Sequence, residues 1–93
     1  MALSYELASE MVSDVSRPWF ADLHSDVEMR WRTGDDRFVV SVRDEDSYVV
    51  GVRREARPER VYETSARFER WAATLEEAVG HADEFIRYPE DYV

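Results

Sequence analysis

Between residues 27 and 53 the chain repeats one pattern three times: apolar and polar residues alternate, then a few turn-forming residues interrupt. Side chains of a β-strand point to opposite faces with a period of two, so this pattern reads as three short strands, each with one face to bury. In the first, Val27, Met29 and Trp31 share a face, with Glu28, Arg30 and Arg32 opposite. In the second, Phe38, Val40 and Val42 oppose Arg37, Val39, Ser41 and Arg43. In the third, Tyr48, Val50 and Val52 oppose Val49, Gly51 and Arg53.

The interruptions suggest a register. Thr33-Gly34-Asp35-Asp36 suits a hairpin with Gly34-Asp35 as a two-residue loop, the glycine supplying a positive φ. That loop predicts Trp31 opposite Phe38, Met29 opposite Val40 and Val27 opposite Val42. Asp44-Glu45-Asp46 as a three-residue loop sets Val42 against Tyr48, Val40 against Val50 and Phe38 against Val52. A slip of one residue would turn every apolar side chain to the wrong face.

The flanks read as helices. Leu3, Leu7, Ala8, Met11, Val12 and Val15 form a stripe at helical spacing over residues 4–16, with Ser4 as N-cap and Pro18 as terminator. Glu6, Glu10 and Asp14 line the opposite, solvated side. The adjacent Trp19 and Phe20 are expected to plug the end of a core. Residues 59–73 are ambiguous. A continuous stripe from Val61 through Phe68 to Ile86 would make one long helix, whereas Tyr62, Thr64, Ala66 and Phe68 alternate as a strand, entered through a loop containing Pro58. Thr74-Leu75-Glu76-Glu77 is a capping box, which marks a helix start and favours strand, then helix over 75–87. That helix is apolar at Leu75, Ala78, Val79, Ala82 and Ile86; Gly80 weakens it, and a glycine there suggests close packing on a neighbour. Pro89 ends it, and the tail folds back through Tyr88 or Tyr92, or frays. The expected fold is α+β in a single domain. An N-terminal helix, an antiparallel meander of three to four strands and a C-terminal helix follow in order, with both helices on the face carrying Val27, Val40 and Val50.

At 93 residues, with 44% hydrophobic and 13% aromatic content, the chain can build one modest core without a disulfide or metal. It has no cysteine, which excludes disulfides, thiolate metal sites and a cysteine nucleophile. The apolar runs are too short to span a bilayer, and no secretory leader pattern is legible, so a cytoplasmic location is expected. The net charge is −9, and all twelve basic residues are arginine; lysine, asparagine and glutamine are missing. This composition resembles that of proteins from salt-loving archaea, in which concentrated salt screens acidic self-repulsion; a GC-rich genome would also favour arginine over lysine. Residues 1–27 carry five acids and one base, residues 28–60 eight of each, and residues 61–93 eight acids and three bases. Arginine therefore gathers on the meander.

Few residues suggest chemistry. Asp22, His24, Asp26 and Glu28 alternate and could offer metal ligands, His24 and Asp26 foremost. Strand positions i and i+2 lie about 7 Å apart, so at most two converge on one ion, and an acidic edge strand is the simpler reading. His24 and His81 lack partners at a spacing specific to catalysis, and no phosphate-binding glycine loop or cofactor motif occurs. No catalytic residue, cofactor or metal is assigned. The turns as read would align Arg32, Arg37 and Arg53 in one row across three strands, with Arg30, Arg43 and the bare Gly51 on the same face. Like charges directly opposite destabilise a sheet, so such a row asks for acids within the chain, then acids of a second copy, then an anionic ligand, in that order. Strong negative charge argues against nucleic-acid binding. The expectation is a small non-enzymatic interaction or accessory protein that self-associates as a homodimer or binds a protein partner; the alternative is an anion-binding protein or small enzyme using the arginine-lined face.

Overall fold

A computed structural model describes residues 3–35, 37–57, 59 and 62–93. Helix α1 (Tyr5–Val12) is followed by strands β1 (Trp19–Ser25), β2 (Glu28–Thr33), β3 (Phe38–Asp44), β4 (Tyr48–Arg54) and β5 (Ala66–Ala72), then helix α2 (Leu75–Arg87) and a 3-10 turn at Pro89–Asp91. The five strands form one antiparallel sheet in the order β1-β2-β3-β4-β5. The α+β arrangement is as the sequence implies, with more strands than the three or four expected. No helix among the described residues is long and apolar enough to cross a membrane.

Both helices lie on one side of the sheet. Met29, Trp31, Phe38, Val40, Val42, Val50 and Val52 are buried beneath them, together with Ala8 and Met11 of α1 and Ala78, Ala82, Phe85 and Ile86 of α2. The fully buried Trp31 ties the layers together, its indole N–H donating to the Ala8 carbonyl at 2.9 Å. Phe85, absent from the apolar stripe read from the sequence, meets Phe68 and Tyr92 edge-on, at centroid distances of 5.9 and 4.8 Å. The tail thus folds back through Tyr92, while Tyr88 stays exposed.

The caps explain the helix limits. Ser4 accepts from the Leu7 N–H at 3.1 Å, and Thr74 accepts from the Glu77 N–H at 3.2 Å. Glu77 reaches back to the Ala73 N–H at 3.3 Å, so the capping box starts α2 where expected. By contrast α1 stops well before Pro18, because the Ser13 hydroxyl donates back to the Glu10 carbonyl at 2.8 Å and competes with the helical ladder. Gly80 does not pack closely on a neighbour: a Cβ there would meet nothing within 4 Å.

The strand faces are as read, but the register is not. Trp31 pairs with Val40 and Met29 with Val42, while Val42 pairs with Val50 and Val40 with Val52. Both hairpins are displaced by two residues. Trp31 and Phe38 are therefore not cross-strand partners, and Phe38 lies opposite Arg54. At the first turn the cause is side-chain bonding: Thr33 Oγ1 accepts from the Phe38 N–H at 3.1 Å, and Asp35 accepts from the Thr33 hydroxyl at 2.7 Å and the Arg37 N–H at 3.0 Å. These bonds close the turn between Thr33 and Phe38 and hold the Asp35 carboxyl below its usual range, the Thr33 hydroxyl foremost. Gly34 does not adopt a positive φ. At the second turn Asp44 still pairs with Tyr48, and Glu45 N–H donates to the Ser47 carbonyl at 3.0 Å, so the loop is 45–47. Val27 is corrected too: it sits in the β1–β2 turn, 52% exposed, and not on the covered face. β5 starts only at Ala66, leaving Tyr62 exposed in the preceding loop. Asp36 of the expected first turn, Pro58 of the expected loop and Val61 of the long-helix alternative lie outside the described residues.

Candidate functional site

With both helices on one side, the opposite side of the sheet carries no covering element among the described residues. Alternation dictates what it presents: Phe20, Asp22 and His24 from β1; Glu28, Arg30 and Arg32 from β2; Val39, Ser41 and Arg43 from β3; Val49, Gly51 and Arg53 from β4; and Arg67, Glu69 and Trp71 from β5. Strand pairing arranges these in three cross-strand rows. One reads Phe20, Arg32, Val39, Arg53, Arg67; the central one Asp22, Arg30, Ser41, Gly51, Glu69; the third Ser25, Glu28, Arg43, Val49, Trp71.

The displaced register rearranges the expected arginine row. Arg32 lies opposite Val39, and Val39 opposite Arg53, so Arg37 is not between them. Arg53 instead lies opposite Arg67, a like-charge pair. Arg37 lies just before β3 and forms a two-pronged pair with Glu63, at 2.7 and 3.0 Å. Glu63 also accepts from the Arg57 N–H at 2.8 Å, and these bonds, the Arg37 side chain first, draw its carboxyl down to about 2.

Carboxylates of the same chain attend three further arginines of the face. Arg30 contacts Glu28 at 2.7 Å, two residues back on the same strand and face. Arg43 reaches Glu69 across β4 at 3.1 Å and lies 3.9 Å from Glu45. Arg53 meets Glu55 at 3.0 Å. Arg67 makes no ion pair among the described residues. Gly51 sits centrally, where a Cβ would lie 3.5 Å from Ser41 Oγ and 3.6 Å from Glu69 Cγ, ordinary contacts. A shallow groove of about 390 Å³ runs over it, lined by Glu28, Arg30, Ser41, Arg53 and Arg67 among others.

Two aromatics complete the face. Phe20 is 58% and Trp71 65% exposed, at opposite margins and opposite ends of the strands. The expectation that Trp19 and Phe20 together plug the core holds for Trp19 alone, because a strand sends neighbours to opposite sides. Trp71 and Arg67 were not singled out from the sequence. Their outward direction follows from the phase of β5, since Phe68 faces inward against Phe85.

The remaining candidates lie elsewhere or stay apart. His24 is exposed on β1, and Asp26 lies in the turn beyond it. The described residues contain no group of three His, Cys, Asp or Glu side chains placed to hold a metal. β1 is an edge strand bearing Asp22 and His24, and the other edge, β5, bears Arg67, Glu69 and Arg70. Charged edges resist strand-to-strand addition. A larger cleft, about 650 Å³, opens at the end of the sheet between Arg17, Arg37, Arg54, Arg57 and Glu90. There the Arg17 and Arg37 guanidiniums lie 5.3 and 5.9 Å from the Phe38 ring centre. Glu90 pairs with Arg17 and Glu63 with Arg37, so this cluster is a charged lid on the core rather than an open cationic site. No protein-family model, no curated protein and no solved structure matches the chain.

Proposed function

We propose that this is a small interaction protein whose working surface is the uncovered face of the sheet, and that it self-associates through it. The observation that carries the reading is the pair of exposed aromatics, Phe20 and Trp71, on a face that is otherwise a mosaic of intrachain ion pairs. A surface on which Arg30, Arg43 and Arg53 are already paired can approach another while burying little unmatched charge, and exposed aromatics are the usual anchors of an interface. Opposing this is the net charge of −9 on each copy. That repulsion is long-ranged and fades as the screening length falls from about 10 Å at 0.1 M salt to about 3 Å at 1 M, whereas contacts at the interface survive.

The test is a mass measurement by sedimentation equilibrium across a KCl series. Mass should rise towards twice the chain mass with protein concentration, and more readily at high salt. A monomer at every concentration and salt would refute self-association. The second reading, an anionic ligand, draws on Arg53 lying opposite Arg67 beside the groove over Gly51. It requires saturable binding of a small dianion, and Arg67→Ala should abolish that binding.

A further inference from the structure

The face is polarised along its strands, and the polarity specifies how a second copy would sit. Arg32, Arg53 and Arg67 occupy one outer row. The opposite row carries Glu28, Trp71 and a single arginine, Arg43, which has Glu45 3.9 Å away in the β3–β4 turn and reaches Glu69 at 3.1 Å. Two sheets packed face to face about a twofold axis lie with that axis in the plane between them. With the axis along the strands, each arginine row would lie over its own copy, Arg32 over Arg53 and Phe20 over Arg67, gathering like charge. With the axis across the strands, each strand runs antiparallel over its own counterpart, and the arginine row of one copy covers the row of the other that carries Glu28 and Trp71.

We infer that two copies dock by this second operation. The inference rests on the proposed self-association and specifies its geometry. Arg32 then lies over Glu28 of the second copy and Val39 over the stem of its Arg43. Arg67 lies over the exposed ring of its Trp71, where a guanidinium can stack on an aromatic face. Each contact occurs twice by symmetry. The central row lies on the axis, so Asp22 faces Asp22, Arg30 (paired with Glu28 of its own chain) faces Arg30, and Glu69 faces Glu69. The usual rotation of about 30° between packed sheets moves these residues off their own copies. Five strands at about 4.8 Å spacing put the edge strands about 19 Å apart, a footprint at the small end of stable interfaces, so the association is concentration-dependent.

The absence of cysteine makes the test direct. Asp22→Cys and Glu69→Cys are made separately at surface positions and treated with a bismaleimide reaching about 10 Å, the separation of packed sheets. The expected result is that each variant alone gives a covalent dimer, and that mixing the two gives no product joining one variant to the other. If neither crosslinks alone but the mixture does, the axis runs along the strands and the inference fails. If the unmodified protein is dimeric by mass yet no combination crosslinks, the geometry fails while self-association stands; if it is monomeric throughout, both fail. Trp71→Ala provides an independent readout: it should weaken association at least tenfold in its dissociation constant, and an unchanged constant overturns the Arg67 contact.

Discussion

Gly80→Ala tests the helix description at a position where the structure leaves little room for compensation. Residue 80 lies inside α2, on its exposed side, and an added methyl meets nothing within 4 Å. No packing is gained or lost, so the change reduces to backbone entropy and helix propensity. Glycine is about 0.8–1.0 kcal/mol less favourable than alanine in a helix interior, partly because it is freer when unfolded. The variant should therefore be more stable by about 1 kcal/mol, which for a domain of this size raises the melting temperature by roughly 4–8 °C. Urea titration should move the midpoint upwards with an unchanged slope, since the surface exposed on unfolding is nearly the same. Because α2 packs on the opposite side from the proposed contact face, the association constant should not move. A lowered midpoint would refute the argument, since it would mean that something packs against residue 80.

Three further outcomes follow. Trp31→Phe removes the bond to the Ala8 carbonyl and leaves a void beneath α1; it should destabilise by about 2–4 kcal/mol in urea, and a change below about 0.5 would contradict the interlayer role. Glu63 has a folded value of about 2 against an ordinary 4.5, so its pairing contributes stability that is present above 4.5 and lost as pH falls through 2. Glu63→Gln should accordingly be less stable than the parent at neutral pH, the gap closing on acid titration; a gap still undiminished at pH 2 would rule out the ionic cause. Finally, we propose that the acidic, lysine-free composition reflects adaptation to salt: the melting temperature should climb between about 0.1 and 2 M KCl, and a flat or falling trend would remove that reading.

The limits of the sequence are instructive because they are geometric. Alternation at Met29, Trp31, Phe38, Val40 and Val42 determines which side of each strand is buried, and that parity is correct. A displacement by two residues preserves parity, so two turns could agree on one apolar face and still both be out of register. What decided the first turn was Thr33 bonding to Asp35 and to the Phe38 N–H, a short-range side-chain choice with no hydrophobic signature. The arginine row depended on register and changed with it: Arg37 left to pair with Glu63, and Arg67 took a place beside Arg53. β1 was legible in part: Asp22 and His24 alternate as an edge strand does, which β1 is, but Trp19 and Phe20 read as a core plug, which concealed where the strand begins. The capping box at Thr74 was strong enough to separate β5 from α2.

The meander also sets a timetable. Every hydrogen-bonded strand pair joins sequence neighbours, and three of the four connections are tight turns, so β1 to β4 can zip together with little loop entropy to overcome. The connection spanning residues 55–65 is the long one, and only beyond it come β5 and the helix that roofs β3 to β5. A chain emerging from synthesis therefore passes through a stage in which β4 is an open edge. Its Tyr48-Val49-Val50-Gly51-Val52 run is largely apolar and lies bare in that stage. Unpaired apolar edges on unfinished chains are where wrong partners attach. The charged residues that flank that edge, Asp44, Glu45, Asp46 and Glu55 together with Arg43, Arg53 and Arg54, are already present before β5 arrives, and charge beside an unpaired strand discourages wrong pairing on the nascent chain as it does on the finished one.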